Sequence, residues 1–233
     1  FGNEGYDVYL VKTDGFGNEE WSQIFEGTDN EVGISVQQTL GGGYIILGNI
    51  FTELGIDSDF YIIKTDENGN EQWSQTFGTE TGYESGFSVQ QTVDGGYIVT
   101  GSKYNPNNVD TELYSPILIK IDESGEEEWF QTFGGTGNGS AYSVQQTVDG
   151  GYIVTGWKDP IGNDASDVYL LKTDENGEEE WSQIFDGSYE DVGYSVQQTT
   201  DGGYIITGYT NYFITIEQFV YYDIYLIKTD NLG

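Results

Sequence analysis

Four kinds of short segment follow one another along the chain, each with its own pattern of apolar and polar positions. "GGYIVTG" (Gly95 to Gly101) and "DVYLLKTD" (Asp167 to Asp174) carry continuous apolar cores. "YSVQQT" (Tyr142 to Thr147) and "EEEWSQIF" (Glu178 to Phe185) mix apolar and polar positions. Continuous runs this short predict strands covered on both faces. No stretch holds a helical period, so the predicted class is all-β. Between the segments stand "VDGG" (Val93 to Gly96) and "ENG" (Glu175 to Gly177). Their glycines supply the positive φ that tight hairpins require.

The segments recur. "SVQQT" begins at Ser35, Ser88, Ser143 and Ser195, and the Lys of "KTD" or "KID" falls at Lys12, Lys64, Lys120, Lys172 and Lys228. Lysine spacings of 52, 56, 52 and 56 residues fit a four-stranded, antiparallel propeller blade. The expected architecture is a single β-propeller domain or propeller segment over residues 1–233, with about four blades. Its repeat units run at about 1–34 (partial), 35–87, 88–142, 143–194 and 195–233 (partial). "SVQQT" is expected to be the innermost strand, with paired glutamines such as Gln37 and Gln38 either bonding between blades or lining a polar channel.

The third strand occurs five times and the others four times each, which gives 17 strands where four closed blades need sixteen. Three readings stay open. The chain belongs to a longer array, or it closes on itself with "DIYLIKTD" (Asp223 to Asp230) left over, or that strand completes a second molecule. Phe1 at the start, in a chain without Met, suggests a processed product or a segment of something longer.

The stretch "DVYLLKTDENGEEEWSQIFDGSYEDVGYSVQQTTDGGYIITG" resembles the secreted bacterial and archaeal repeats of the seven-bladed β-propeller type. It is more distantly similar to kelch motifs. The resemblance implies architecture rather than activity, and an extracellular or cell-surface location.

Composition then narrows the chemistry. Seven lysines and no Arg or His face 40 acidic residues, for a formal charge of −33. Such a surface repels nucleic acid and anionic membranes and attracts cations. Without Cys or His there is no thiolate nucleophile, imidazole base or His-ligated metal. No apolar run approaches the ~20 residues of a membrane helix, so no membrane insertion is expected.

The turns "TDENGNE" (Thr65 to Glu71) and "TDENGEE" (Thr173 to Glu179) share alternating acids with calcium loops, but their Gly is misplaced, and they read as plain hairpin turns. Better calcium candidates are the loops leading into the inner strands. They offer Asp29 and Glu31, then Glu80 and Glu84, then Asp186, Glu190 and Asp191. The alternative is a solvated acidic surface. Calcium is the one cofactor considered. The Tyr209 to Asp223 stretch reads as a loop with Phe213, Ile214, Ile216, Phe219, Tyr221 and Tyr222 as an interaction surface, or as a strand extension on its own blade. Asn138-Gly139-Ser140 fits the N-glycosylation pattern. The near-identical strand cores argue against an active site, so the chain is expected to be non-enzymatic. Its expected role is an extracellular structural or interaction module with protein partners. The alternatives are a carbohydrate-binding propeller with Tyr104, Trp157, Tyr189 and Tyr212 stacking on sugars, or a glycosidase or polysaccharide lyase using loop carboxylates.

Overall fold

The computed structural model describes residues 5–27, 29–51, 58–78, 82–105, 113–135, 137–159, 165–187, 190–214 and 219–233. They form seventeen strands in five antiparallel sheets, so class and strand count agree with the sequence reading. Blade one has two strands, β1 (Val8–Thr13) and β2 (Glu19–Phe25). Blade two holds β3 (Asn30–Gln38), β4 (Tyr44–Phe51), β5 (Ser58–Thr65) and β6 (Glu71–Phe77). Blade three holds β7 (Glu84–Gln91), β8 (Tyr97–Asn105), β9 (Leu113–Ile121) and β10 (Glu127–Thr132). Blade four holds β11 (Asn138–Gln146), β12 (Tyr152–Asp159), β13 (Asp167–Thr173) and β14 (Glu179–Phe185). Blade five has three strands, β15 (Asp191–Gln198), β16 (Tyr204–Ile214) and β17 (Phe219–Thr229). Hairpin turns gather at one end of the blades, the lower end. The longer connections lie at the upper end.

Blade packs on blade through the continuous apolar strands. Ile45, Leu47, Phe60 and Ile62 of blade two meet Val89, Val99, Ile117 and Ile119 of blade three. Ile98 and Leu118 face the other way, onto Ala141, Val154, Tyr169 and Leu171 of blade four. Alternate residues of one strand thus serve opposite interfaces, which is why the run is apolar throughout. The two end blades leave part of this surface open. Val36 is 55% exposed where its counterpart Val89 is 6%, and Ile224 is 87% exposed where Val168 is 1%.

The "SVQQT" glutamines stitch the inner strands together. Gln37, Gln90 and Gln145 each accept, through Oε1, the backbone N–H of Gln91, Gln146 and Gln198 in the next blade, at 2.6–2.8 Å. In return, Oε1 of Gln91, Gln146 and Gln198 accepts the N–H of Leu40, Val93 and Val148 in the preceding blade. The amides bond between blades, as one of the two sequence readings held. The "KTD" lysines clamp the lower turns: Lys120 bridges Asp94 and Glu128, and Lys172 bridges Asp149 and Glu180.

Three points correct or narrow the sequence reading. The inner strands start several residues before "SVQQT", at Asn30, Glu84, Asn138 and Asp191. The Tyr209 stretch takes the second of its two sequence readings, a strand extension on its own blade, because β16 and β17 stay paired out to Ile214 and Phe219. Self-closure by pairing β15–β16 with β1–β2 is not the arrangement adopted, since β17 takes the third place in its own sheet.

Candidate functional site

The repeat is broken at one position of the inner strand. The ladder to the second strand slips between Gly33 and Ser35, Gly86 and Ser88, Ala141 and Ser143, and Gly193 and Ser195. The residues at these bulges are Ile34, Phe87, Tyr142 and Tyr194. A bulge re-aims its side chain out of the ladder, and here the rings meet from blade to blade. Phe87 packs edge-on against Tyr142 at 4.8 Å, and Tyr142 stacks with Tyr194 at 5.2 Å. Tyr194 leads to Tyr209 at 5.9 Å, and Tyr209 to Tyr222 at 5.3 Å. The Trp157 indole N–H donates to the Tyr142 hydroxyl at 3.0 Å and fixes that ring. The result is an arc of six aromatic rings across the middle of the inner strands.

Two carboxylates border this arc. Asp159 lies two residues past Trp157 on β12 and so shares its face. Burial, followed by the charge of Glu190, raises Asp159 above the ordinary carboxylate range against a side-chain hydrogen bond from Asn138. Exposed Glu190 accepts the Asn211 side-chain N–H at 2.8 Å, and its charge reaches Tyr209. The lower end is different. A polar hollow of about 420 Å³ there is lined by Lys64, Asp66, Glu67 and Glu123, and burial lowers the Lys64 pKa.

The residues singled out in the sequence take varied places. Glu31, Glu84 and Asp191 are buried, Asp186 and Glu190 are exposed, and Asp29 donates its N–H to Glu31 at 3.3 Å. Glu80, Tyr189 and Ile216 lie outside the described residues, as do the side chains of Phe213, Ile214 and Phe219. Tyr221 and Tyr222 are exposed on the β16–β17 hairpin, where Tyr221 stacks on Tyr212 at 5.5 Å. Tyr104 packs against Tyr83 and Tyr114. Asn138 Oδ1 accepts the Tyr114 N–H at 2.7 Å, the same bond that Asn30 makes to Tyr6. The aspartates of the "DENG" turns are turn-formers: Asp66 Oδ1 accepts the N–H groups of Asn68 and Asn70. Among the described residues no group of three acids converges as a metal cluster.

No family model matches the chain, and no curated protein matches it in sequence. Among solved structures it is similar to an endo-arabinase from Bacteroides thetaiotaomicron VPI-5482. The TM-score is 0.51 at 10% identity, over 90% of this chain and 81% of that one. The likeness is one of fold. It supports the propeller architecture, since the endo-arabinase is a β-propeller glycosidase. It also corrects the expectation of a non-enzymatic module. That expectation rested on near-identical strand cores, but the cores only hold blades together. The departures from repetition are at the bulges and upper strand ends, where chemistry has room.

Proposed function

We propose that the chain binds a polysaccharide across the aromatic arc that crosses its inner strands. The observation that supports this reading is the continuous row Phe87–Tyr142–Tyr194–Tyr209–Tyr222, three of whose rings sit at the bulges of the inner strands. Sugar rings present apolar faces to such rings, while Glu190, Asn211 and Asp159 border the row to bond hydroxyls. A likeness of fold to an endo-arabinase makes arabinan the first polymer to test.

Hydrolysis is a second reading, favoured by the Asp159–Glu190 pair. Asp159, held protonated to higher pH by burial and by Glu190, would give its proton to the glycosidic oxygen. Ionised Glu190 would take a proton from the attacking water, so that one water adds across the broken bond. The test is affinity electrophoresis and calorimetry on linear arabinan and a panel of neutral polysaccharides, with reducing ends assayed in the same samples. Tyr194→Ala is expected to weaken binding about tenfold. Unchanged mobility on every polymer would end the binding reading. New reducing ends that vanish in Asp159→Asn would establish hydrolysis.

A further inference from the structure

At the upper end of each blade interface, an inner strand meets the start of the third strand of the blade before it. Glu31, Glu84, Gly139 and Asp191 occupy one register position, two residues ahead of Gly33, Gly86, Ala141 and Gly193. The third strands present Asp59, Pro116 and Asp167, and Asp7 stands just before the first of them. Backbone bonds hold the two elements together: Glu31 N–H donates to the Tyr6 carbonyl and Asp191 N–H to the Ser166 carbonyl, both at 2.7 Å. The acids come and go as pairs. At the interface of blades three and four both are absent, and a Cβ on Gly139 would meet the Pro116 ring at 3.4 Å.

The residue across the ladder decides what each acid faces. Opposite Glu31, Glu84, Gly139 and Asp191 stand Ile50, Lys103, Lys158 and Thr210. Lys103 reaches Glu84 at 3.6 Å. Ile50 and Thr210 offer no charge. Yet Asp191 is 0% exposed with neither carboxylate oxygen hydrogen-bonded, and Glu31 is 1% exposed with its Oε2 likewise unbonded. Both carboxylates are tucked beneath a glycine, Gly187 and Gly27, where any Cβ would overlap them. Burying an ionised carboxylate without a partner is strongly unfavourable.

We propose that Asp191 with Asp167, and Glu31 with Asp7, each hold a calcium ion at the blade interface, in the role that Lys103 fills beside Glu84. Calcium suits an all-oxygen site whose remaining ligands are backbone carbonyls and water, and so needs no third acid. The sites lock neighbouring blades together. They stand whether or not the arc binds carbohydrate.

The test is calorimetric titration of the chelator-treated full chain with calcium chloride at fixed ionic strength, with melting followed in chelator and in excess calcium. Two ions per chain are expected, with the melting temperature rising roughly 5–10 °C per site at about 100-fold excess over Kd. Asp191→Asn and Glu31→Gln should each remove one ion. Thr210→Lys supplies an internal cation, so it should abolish calcium binding at that interface while keeping the apo chain folded. Three results would overturn the proposal: no binding heat with an unchanged melting temperature, full stoichiometry retained in the Asp191→Asn/Glu31→Gln chain, or equal stabilisation by sodium chloride at matched ionic strength.

Discussion

The interfaces of blades two–three and four–five share their apolar cores, glutamine straps and Trp–Tyr ring contacts, yet differ at their upper ends. Between blades two and three, Glu84 lies beside Lys103, which also sits 5.4 Å from the Phe130 ring. The pair lines a cavity of about 370 Å³ with Phe60 and Phe77. Between blades four and five, Asp191 faces Thr210 and no lysine. The interface of blades three and four completes the comparison, with Lys158 lying 5.5 Å from the Tyr169 ring opposite Gly139. Five of the seven lysines serve the lower turns, which leaves only Lys103 and Lys158 for the upper ends. A chain so short of cations fixes one interface from within and leaves two others in need of a cation from solvent.

Four experiments would break or sharpen that comparison, in order of expected size. Gly187→Ala should be the most damaging, because the new Cβ overlaps the Asp191 carboxylate. A loss of about 2–3 kcal/mol, read by urea denaturation, is expected from overpacking a buried acid. Lys103→Thr should give blades two and three the character of blades four and five. It should cost about 2 kcal/mol, below the range for fully buried pairs because Lys103 is partly exposed, and the loss should be partly restored by calcium. Gln146→Ala removes the strap to the Val93 N–H and the amide bond to the Gly150 carbonyl, while its backbone N–H still donates to Gln90, and should cost about 1–2 kcal/mol. Gln38→Ala, whose amide bonds only the Gly42 carbonyl of its own turn, should be nearly silent.

A further effect is one of pH. Glu31 has a folded pKa raised above its usual 4.5, so the folded chain binds more protons in that window than the unfolded one. Without calcium, stability should therefore fall as pH rises from about 4.5 through the folded pKa. Excess calcium should flatten that slope. Melting curves at closely spaced pH values, with and without chelator, would measure it.

Much of the fold was legible because the repeat reports one environment several times. Apolar runs at Ile98 and Leu170 needed two covering layers, and five "KTD" lysines counted the third strands directly. The arc was harder to see. Its rings are single residues inside a repeated motif, and only a bulge turns Tyr142 and Tyr194 toward each other. The signal lay in the slot just before the constant "SVQQT", which reads Ile, Phe, Tyr and Tyr. Acid loops were visible at Glu31 and Asp191, but Asp7 and Asp167 join them only through stacking, some 24 residues away in sequence. The hairpin from Tyr209 to Asp223 was obscured because its aromatics serve a loop surface and a two-stranded ribbon equally well.

The glutamine straps also have a geometric consequence. Each runs from a side chain of fixed length to the backbone of the adjoining blade, at the lower end of the inner strands. Strap length therefore sets the angular step from blade to blade, while the bulkier upper ends set the tilt. Shortening Gln37, Gln90 and Gln145 to Asn would draw the lower ends together and tighten the arc. A one-carbon change, repeated in each unit, thus tunes the radius of curvature and with it how many blades a full circle would hold.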